Sequence, residues 1–367
     1  MNGDVIVPQG AQETPAGAVD VLIDGGDMDC GSGLLLLITR AMRRLPSGGR
    51  LGVRSAEHSV VVDLPAWAEL VGHDLSGTAA DADDGPWWFV VRKTPERVSP
   101  VSVFSTGDRV SVGHRLWLYT NFDCNLACSY CCAESSPKAP ARRFDVRTAR
   151  TVFDEFREMG GREVLFTGGE PFMHPELGSL VAAAEGLDRT ILTNAMVVGR
   201  GRRRETLEAM DRDVVLQVSL DSATPELHDR QRGAGAWDKA VLGIAQTREL
   251  GFRVRVAATL YDEDPEGVAA LHACLDEVGI EQEMRLVRPV AQEGFADSGL
   301  HVSLDTVEPE PTLTVDGAWW HPVAVTNPHL RIADAPLPLD EVFGVVRDTL
   351  AVQDAATAAG REVFRCA

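Results

Sequence analysis

The sequence predicts an α/β protein built on a parallel sheet. From residue 115 onward, short apolar segments rich in β-branched residues alternate with longer segments of helical periodicity. Several of the helical segments end at glycine, as in VRTARTVFDEFREMG and WDKAVLGIAQTRELG. Parallel neighbours joined by helices require right-handed crossovers. The six strand segments therefore predict a partial (β/α)6, TIM-like barrel over residues 115–300: RLWLYT, EVLFT, RTILT, VVLQVS, RVRVAATL and EMRLV.

A smaller unit over residues 18–94 is predicted to precede this barrel. AVDVLID favours a strand, GLLLLITRAMRRL a helix stopped by PSGG, and RLGVRS and SVVVDL two further strands. PAWAELVGH favours a helix with Pro65 in its first turn, GTAADADDG an acidic loop, and WWFVVRK a closing strand. The predicted order is β-α-β-β-α-β, a two-layer α/β sandwich.

The remaining segments are predicted to connect or extend these two units. Residues 1–17 are expected to form a flexible leader, and residues 95–114 a linker. Residues 301–367 break the strand–helix alternation, since TLTVDGAWWHPVAV suggests a hairpin and LDEVFGVVRDTLAVQ a final helix. We expect this last segment to form a short α+β cap over the mouth of the barrel.

Composition and charge narrow the functional classes. The chain has 367 residues, 44% of them apolar and 25% charged, which is ordinary for a globular protein. Its formal charge of −20 argues against a nucleic-acid partner, because phosphate binding needs clustered Lys and Arg. The longest apolar run, LLLLI, is too short to span a membrane, and the first residues lack the pattern of a secretory signal. We therefore expect a cytoplasmic protein.

The cysteines indicate a metal site rather than a disulfide framework. Four of the seven lie in the stretch DCNLACSYCC, after the first strand of the predicted barrel. Clustered thiolates select zinc or iron–sulfur clusters, and a structural zinc site would need a second cysteine pair. Cys274 and Cys366 are isolated, so no second pair exists. Three close thiolates, from Cys124, Cys128 and Cys131, instead suit a [4Fe–4S] cluster with one iron left open.

At this point the sequence resembles the radical SAM superfamily. Cys124, Cys128, Tyr130 and Cys131 match its CxxxCxΦC loop, including the aromatic residue before the last cysteine. The resemblance implies that S-adenosylmethionine (SAM) binds the open iron and is cleaved to a 5′-deoxyadenosyl radical. It covers residues 115–290 and implies a barrel of the radical SAM type. Cys132 is expected to be a buried neighbour of the cluster loop.

Four downstream segments carry the same resemblance, each after a predicted strand. FTGGEP is similar to the family's GGEP loop, ILTNAM to its TNG with Ala195 in place of glycine, and VSLDS to its SAM-ribose segment. An arginine in HDRQRGAG is a candidate for the SAM carboxylate. The residues that the resemblance implies as SAM contacts are Thr167, Gly168, Gly169, Glu170, Pro171, Thr193, Asn194, Ser219, Asp221 and Arg232.

The segment after the barrel resembles the SPASM or twitch extensions of many radical SAM proteins. In those extensions a cysteine follows a DG motif and binds an auxiliary cluster, whereas DGAWWHP has His321 at that place. A full auxiliary cluster is therefore not expected. Two arginines of the sixth strand, Arg285 and Arg288, are suited either to an anionic group or to nearby acidic side chains, and we expect the second.

The N-terminal unit resembles the TusA/SirA-like sulfur-carrier family. A cysteine, Cys30, stands at the start of the first helix, and Asp63, Pro65, Trp67, Gly72 and His73 fit a later D-x-P-A-W-x-x-x-x-G-H segment. The family's CPxP motif is replaced by CGSG. A helix N-terminus favours the thiolate, so Cys30 is a candidate catalytic residue carrying a persulfide. The alternative is a docking module in which the thiol has no function.

Two functions of different class follow. The first is a radical SAM oxidoreductase or transferase that abstracts hydrogen from a small-molecule or peptide substrate. It would take electrons from a flavodoxin or ferredoxin, and a sulfur donor at the N-terminal unit would couple it to sulfur transfer through Cys30. The second is a sulfur-relay or persulfide-carrier protein with a redox or scaffolding cluster. The intact GGEP and SLDS segments favour the enzyme, because a scaffold needs no SAM pocket.

Overall fold

The computed structural model describes residues 12–80, 85–94, 113–261, 264–304 and 306–358. The leader up to residue 11, residues 95–112 of the predicted linker, and Cys366 lie outside these ranges. No helix in the described part of the chain is long and apolar enough to cross a membrane.

The N-terminal unit is a hairpin followed by a four-stranded sheet with two helices. The sheet has the order β3-β4-β6-β5, with β3 and β4 parallel and the other pairs antiparallel. The elements are β1 (Gln12–Thr14), β2 (Gly17–Val19), β3 (Val21–Asp24), α1 (Leu35–Arg44), β4 (Arg50–Ser55), α2 (Val60–Val71), β5 (Asp74–Ala80) and β6 (Trp87–Arg92).

Three predictions for this unit are wrong. SVVVDL belongs to α2 rather than to a strand, and Pro65 lies inside that helix. The reason is packing: Val60, Leu64 and Trp67 are all buried, and their spacing places them on one helical face. The sheet unit is consequently β-α-β-α-β-β, and the predicted acidic loop begins as β5. Part of the predicted leader, residues 12–17, belongs to the β1–β2 hairpin.

All six predicted strands of the second unit are confirmed. They pair in parallel and in sequential order from β7 to β12. The strands are β7 (Arg115–Asn121), β8 (Glu163–Gly168), β9 (Asp188–Thr193), β10 (Val215–Ser219), β11 (Arg253–Leu260) and β12 (Arg285–Pro289). The helices are α3 (Val146–Glu158), α4 (Leu177–Ala183), α5 (Gly201–Glu208), α6 (Pro225–Arg232), α7 (Ala236–Glu249) and α8 (Pro265–Val278).

The two faces of this sheet differ. On β11, Val254, Val256 and Ala258 belong to one apolar cluster with buried residues of α7 and α8. Because side chains alternate along a strand, Arg255 and Thr259 point to the opposite face, here called the inner face. The carboxyl ends of parallel strands meet at one edge of a sheet, so the loops after β7 to β11 are neighbours there.

The described part of the tail extends the sheet of the second unit, and its role as a cap over the barrel mouth stays a prediction. The predicted hairpin and final helix are confirmed as β13 (Thr312–Thr314), β14 (Gly317–Trp319) and α9 (Leu339–Ala358), with β15 (Arg331–Ala333) between them. However, β13 pairs in parallel with β7, so the tail extends the sheet beyond its first strand. Helix α9 packs against α1 and α2 of the N-terminal unit and against α3.

Candidate cofactor site

The cysteine loop follows β7 and is fastened to the loop after β8. Asn121, the last residue of β7, donates from its Nδ2 to the backbone oxygens of Asp123 at 2.7 Å and Glu170 at 3.1 Å. Asn121 is fully buried, so these bonds satisfy an amide that water does not reach. The Asn121 side chain therefore determines both the path of the chain after β7 and the position of the loop after β8.

The three cysteines of the C-x3-C-x2-C pattern lie in successive turns of this loop. The backbone N–H of Leu126 donates to Cys124 Sγ at 3.4 Å, and that of Ser135 donates to Cys131 Sγ at 3.3 Å. The N–H of Cys131 bonds the carbonyl of Cys128 at 3.2 Å. Hydrogen bonds to sulfur are among the contacts that tune iron–sulfur clusters, so the loop already has the polar surroundings of such ligands.

Burial favours the protonated form of two of these thiols until a metal binds. Burial and, after it, the charge of the nearby Glu170 raise the pKa of Cys124 to about 12. Burial also raises the pKa of Cys128, although the charge of Arg232 opposes this rise. Metal ligation requires thiolates, so assembly of a cluster here must release protons, with the iron charge replacing them.

The residues of the loop fit a bound iron–sulfur cluster in their chemistry. Thiolates are the ligands of [4Fe–4S] clusters, and each of them binds a different iron. Two buried atoms beside the loop, Ser135 Oγ and Gln231 Oε1, have no hydrogen-bond partner among the described residues. Buried polar atoms of this kind are typical of a site completed by a bound group.

The two glycines of the GGE segment are required by contact with the cysteine loop. Gly168 has φ +134°, and a Cβ added there would lie 2.2 Å from the backbone oxygen of Asn121. A Cβ on Gly169 would lie 2.2 Å from that of Asp123. The N–H of Gly169 donates to the Asn121 carbonyl at 2.8 Å. The glycines thus admit a neighbouring backbone, a role distinct from the approach to SAM that the resemblance implies.

Glu170 joins the loops after β8 and β9. Its fully buried carboxylate accepts from Thr193 Oγ1 at 2.8 Å and from the N–H groups of Asn194 at 2.9 Å and Phe172 at 3.1 Å. Burial raises its pKa, and these three donors oppose the rise. Glu170 is therefore bonded on both oxygens to protein groups and acts as a positioning residue.

Asn194 brings the third loop to the first cysteine. Its Nδ2 donates to Asn125 Oδ1 at 2.8 Å and lies 4.0 Å from Cys124 Sγ. The next residue, Ala195, has φ +57°, the left-handed conformation in which glycine is favoured. The backbone conformation at this place therefore explains the family's glycine, and Ala195 adopts the same conformation with strain.

A buried ion pair connects the last part of the site. Asp221 Oδ2 accepts from Tyr130 Oη at 2.6 Å and Arg232 Nε at 2.7 Å, while Oδ1 accepts from the N–H of Thr259 at 3.1 Å. Burial raises the pKa of the Asp221 carboxyl, but the Arg232 charge together with the hydrogen bonds from Arg232 and Tyr130 outweighs it and holds the pKa below its usual value. The guanidinium of Arg232 also lies over the Tyr130 ring, 5.3 Å from its centroid. The pair thus connects the cysteine loop to β10, β11 and α6.

The other predicted residues lie at the expected strand ends but make fewer contacts. The backbone oxygen of Thr167 accepts from Thr120 Oγ1 at 3.0 Å. Pro171 begins a short helix after Glu170, and Ser219 pairs with Ala257 at the end of β10. Asn121 was missed by the sequence analysis, although a polar residue ending an apolar strand was a usable signal.

Cys30 belongs to the N-terminal unit and is buried, with 1% of its surface exposed. It begins a single helical turn whose N-cap is Asp29, and tail residues cover that turn. The N–H of Leu304 donates to the Gly31 carbonyl at 3.1 Å, and a Cβ on Gly33 would lie 2.3 Å from the His329 carbonyl. The thiol of the candidate catalytic residue Cys30 is therefore buried in a turn that the tail contacts.

Comparison with known proteins finds a family similarity over part of the chain. Residues 118–273 match the model of the radical SAM superfamily. Proteins of this superfamily use a [4Fe–4S] cluster and SAM. The match includes the cysteine loop, the GGE segment and the Asp221–Arg232 pair, so it covers the site but neither the N-terminal unit nor the tail.

Several curated proteins are similar over the same region. An AdoMet-dependent heme synthase of Oleidesulfovibrio alaskensis is 30% identical over 37% of this chain and 36% of its own length. The mycofactocin maturase MftC of Mycobacterium tuberculosis is 33% identical over 36% of this chain and 33% of its own. Among solved structures, Streptococcus suis SuiB bound to S-adenosylmethionine has a TM-score of 0.43 and 17% identity over 68% of this chain and 49% of that one. The chain thus spans less than half the length of these relatives.

Proposed function

We propose that the radical SAM superfamily domain at residues 118–273 makes this chain an enzyme that cleaves SAM reductively and abstracts hydrogen from a substrate. Cys124, Cys128 and Cys131 would hold the [4Fe–4S] cluster, leaving one iron for SAM. When bound, the cluster supplies the electron that cleaves SAM to a 5′-deoxyadenosyl radical. The electron donor would be a flavodoxin or ferredoxin, and the substrate a small molecule or a peptide.

The observation that carries this proposal is the meeting of four loops at the carboxyl edge of the sheet. Asn121 connects the cysteine loop to Glu170, Glu170 connects to Asn194, and Tyr130 connects to Asp221. A metal cluster that served only as a scaffold would not need three further loops bonded to its ligand loop. This convergence supports a site that binds a cofactor beside the cluster.

A partly closed barrel is proposed on the basis of one long-range contact. β7 and β12 are the first and last of the six strands β7 to β12. Nevertheless, the N–H of Phe295, in the segment after β12, donates to the carbonyl of Cys131, in the loop after β7, at 3.1 Å. In a flat sheet these two strands would be separated by the full width of the other four. The contact supports a sheet curled around its inner face, with the substrate expected inside.

Within this site, the protein's own residues are expected to orient SAM. Asn194 and the backbone after Gly168 face the cysteine loop and are proposed to bind the amino acid part of SAM. Ser219 and Asp221 are proposed to lie near its ribose, and Arg232 near its carboxylate. Because Arg232 is already bonded to Asp221, this last role requires it to bind SAM with its remaining donors.

The test is anaerobic. The full chain is reconstituted with iron and sulfide, reduced with dithionite and mixed with SAM, and 5′-deoxyadenosine is measured. We expect the nucleoside to form in the wild type and to be lost in Cys128→Ala. Cys274→Ala is the matched control, since Cys274 lies on α8 outside the loop, and it should retain formation. An intact cluster that binds SAM but yields no nucleoside at any reductant concentration would contradict the proposal.

Sulfur transfer through Cys30 is a further part of the proposal that depends on movement. With 1% exposure, the thiol has no access to a sulfur donor while the tail covers its turn. A persulfide role therefore requires the tail to separate from α1. Mass spectrometry of Cys30 after incubation with a cysteine desulfurase and cysteine tests it: unmodified Cys30 under conditions that label an exposed thiol would exclude the role.

A further inference from the structure

The two arginines of β12 have different surroundings. Arg285 donates to Asp276 Oδ1 at 2.5 Å and to the carbonyl of His272 at 3.0 Å, as the sequence analysis expected. Arg288 makes one side-chain hydrogen bond to a described residue, from its Nε to Thr259 Oγ1 at 3.3 Å. Across residues 12–80, 85–94, 113–261, 264–304 and 306–358, no carboxylate lies within ion-pair distance of Arg288. For Arg288 the expected pairing with an acidic side chain is therefore not found in the described ranges.

Arg288 lies on the inner face, near the cofactor site. It is in register with Thr259, whose side chain points away from the helices. The N–H of the same Thr259 donates to Asp221 Oδ1 at 3.1 Å. One residue therefore separates Arg288 from the buried pair that fastens the cysteine loop, which places the guanidinium beside the predicted SAM site rather than on the outer surface.

The tail and the cysteine loop close the other side of this space. Tyr119 Oη donates to the carbonyl of Pro322 at 2.6 Å, and Thr326 Oγ1 donates to the carbonyl of Cys132 at 2.9 Å. The segment that follows β12 contacts both of these parts, since the N–H of Phe295 donates to the Cys131 carbonyl at 3.1 Å and Asn327 Nδ2 donates to Glu293 Oε1 at 2.8 Å. The carboxyl end of β12 therefore lies beside the cysteine loop and the tail.

His321, which precedes the Pro322 that bonds Tyr119, offers a second donor in the same tail segment. Burial and the charge of Arg288 lower its pKa to about 4, so the imidazole is neutral at pH 7. Its Nδ1 accepts from the N–H of Val323 at 3.3 Å. In a neutral imidazole the other nitrogen then carries the proton, so Nε2 is a hydrogen-bond donor. The residue found in place of the expected cluster cysteine is consequently suited to an anion rather than to iron.

We propose that Arg288, with the Nε2–H of His321, binds a carboxylate group of the substrate on the inner face of the sheet. This inference rests on the proposed function and names the class of its substrate. A guanidinium presents two parallel N–H donors that match the two oxygens of a carboxylate. A partly buried cation that has no ion-pair partner among the described residues is stabilised by an incoming anion, because the anion compensates for the hydration lost on burial.

Binding of a matched pair of probes tests the proposal in the full-length, cluster-loaded protein. The probes are 3-phenylpropionate and 3-phenylpropionamide, which are alike in size and differ in charge, and their Kd values are measured by equilibrium dialysis with SAM present. We expect the acid to bind at least about tenfold more tightly than the amide, and Arg288→Gln to remove this preference. His321→Leu should weaken acid binding about threefold or more. Equal binding of acid and amide by the wild type would overturn the proposal.

Two further variants separate recognition from folding. Arg285→Gln changes the same residue type on the same strand but at an ion-paired position, so the acid preference should persist. Arg288→Lys keeps a cation without the paired donors and should retain part of the preference, even if Arg288→Gln lowers the melting temperature. An acid preference that survives in Arg288→Gln, or that is lost equally in Arg285→Gln, would also overturn the assignment.

SAM itself carries a carboxylate, so its binding is measured as well. Wild type and Arg288→Gln are compared with SAM and with decarboxylated SAM. If Arg288 binds the substrate, we expect Arg288→Gln to weaken the affinities for SAM and for decarboxylated SAM equally, or to leave both unchanged. A loss of about tenfold for SAM alone would assign Arg288 to the cofactor and overturn the proposal. Formation of 5′-deoxyadenosine by the wild type tests the proposed function independently. A failure of SAM cleavage is therefore distinguishable from a failure of carboxylate binding by Arg288.

Discussion

At the residue scale, the site is determined by close backbone contacts more than by functional side chains. Gly168 and Gly169 are required where the loop after β8 touches the cysteine loop. Asn121 and Glu170 satisfy buried polar groups of three loops at once. Residues that the family resemblance links to SAM therefore also assemble the cysteine loop, so their substitution is expected to affect cluster binding before catalysis.

Gly169→Ala should release the cysteine loop from the β8 loop. The added Cβ would lie 2.2 Å from the Asp123 carbonyl, so the two backbones must separate. We expect the iron bound after reconstitution, measured by iron assay and visible absorbance, to fall by at least half. The matched control is Gly160→Ala, where φ is +85° but nothing lies within 4 Å of the new atom. It should cost about 1 kcal/mol of stability and leave iron binding intact. Normal iron content in Gly169→Ala would contradict the prediction.

At the scale of elements, the alternation of strands and helices after residue 115 was predicted correctly, whereas one short apolar segment of the N-terminal unit was not. β7 to β12 were each recognised from β-branched runs between helices. SVVVDL has the same composition, yet it forms the first part of α2, because burial of Val60, Leu64 and Trp67 on one face outweighs the strand propensity of valine. Local propensity alone does not determine whether such a segment is a helix or a strand. Its packing against the sheet that contains β3, β4 and β6 does.

Helix α2 carries a carboxyl whose ionisation opposes folding. Burial, and then the charges of Asp29 and Glu57, raise the pKa of Asp63 to about 6 from the ordinary 3.8. The folded state therefore binds this proton more tightly than the unfolded state does. The cost of the charged form is absent below pH about 4, grows as pH rises, and is fully present above pH about 7.

Asp63→Asn should consequently stabilise the protein at pH 8 by about 1–2 kcal/mol and have little effect at pH 4. Thermal unfolding of both proteins at the two pH values measures this. Asp27→Asn is the control, because Asp27 is exposed, and it should leave the difference between the two pH values unchanged. Equal effects of Asp63→Asn at both pH values would show that the ordinary pKa is retained.

At the scale of the whole molecule, the tail joins the two units. Its strands extend the sheet beside β7, and its helix α9 packs on α1 and α2. Arg40 of α1 donates to Asp334 Oδ1 at 2.7 Å and to the Arg331 carbonyl at 3.1 Å. The N-terminal unit is thus attached to the domain that carries the cofactor site, and the attachment encloses Cys30.

Gly33→Ala should open this attachment. Gly33 has φ +122°, and the added Cβ would lie 2.3 Å from the His329 carbonyl, so the turn that contains Cys30 must separate from the tail. We expect the rate of Cys30 alkylation by iodoacetamide, followed by mass spectrometry, to rise about tenfold or more, since opening replaces near-complete burial. Cys274 serves as the internal reference and should react at an unchanged rate.

Gly48→Ala is the control for backbone strain in the same unit. It has φ +85° and nothing within 4 Å of the new atom, so it should leave the alkylation rate of Cys30 close to that of the wild type. Rapid alkylation of Cys30 in the wild type would mean that the tail does not shield the thiol in solution.

The sequence by itself determined what depends on local periodicity and spacing. This includes the six parallel strands with their helices, the three cysteines of one loop, and the placement of the GGE, TN and SLD segments at strand ends. Only the tertiary structure decided which of these residues touch. Arg285 and Arg288 are three residues apart on one strand, yet one pairs with Asp276 and the other bonds Thr259 of the neighbouring strand. Such differences arise from contacts between segments far apart in the chain, whose energies no local pattern contains.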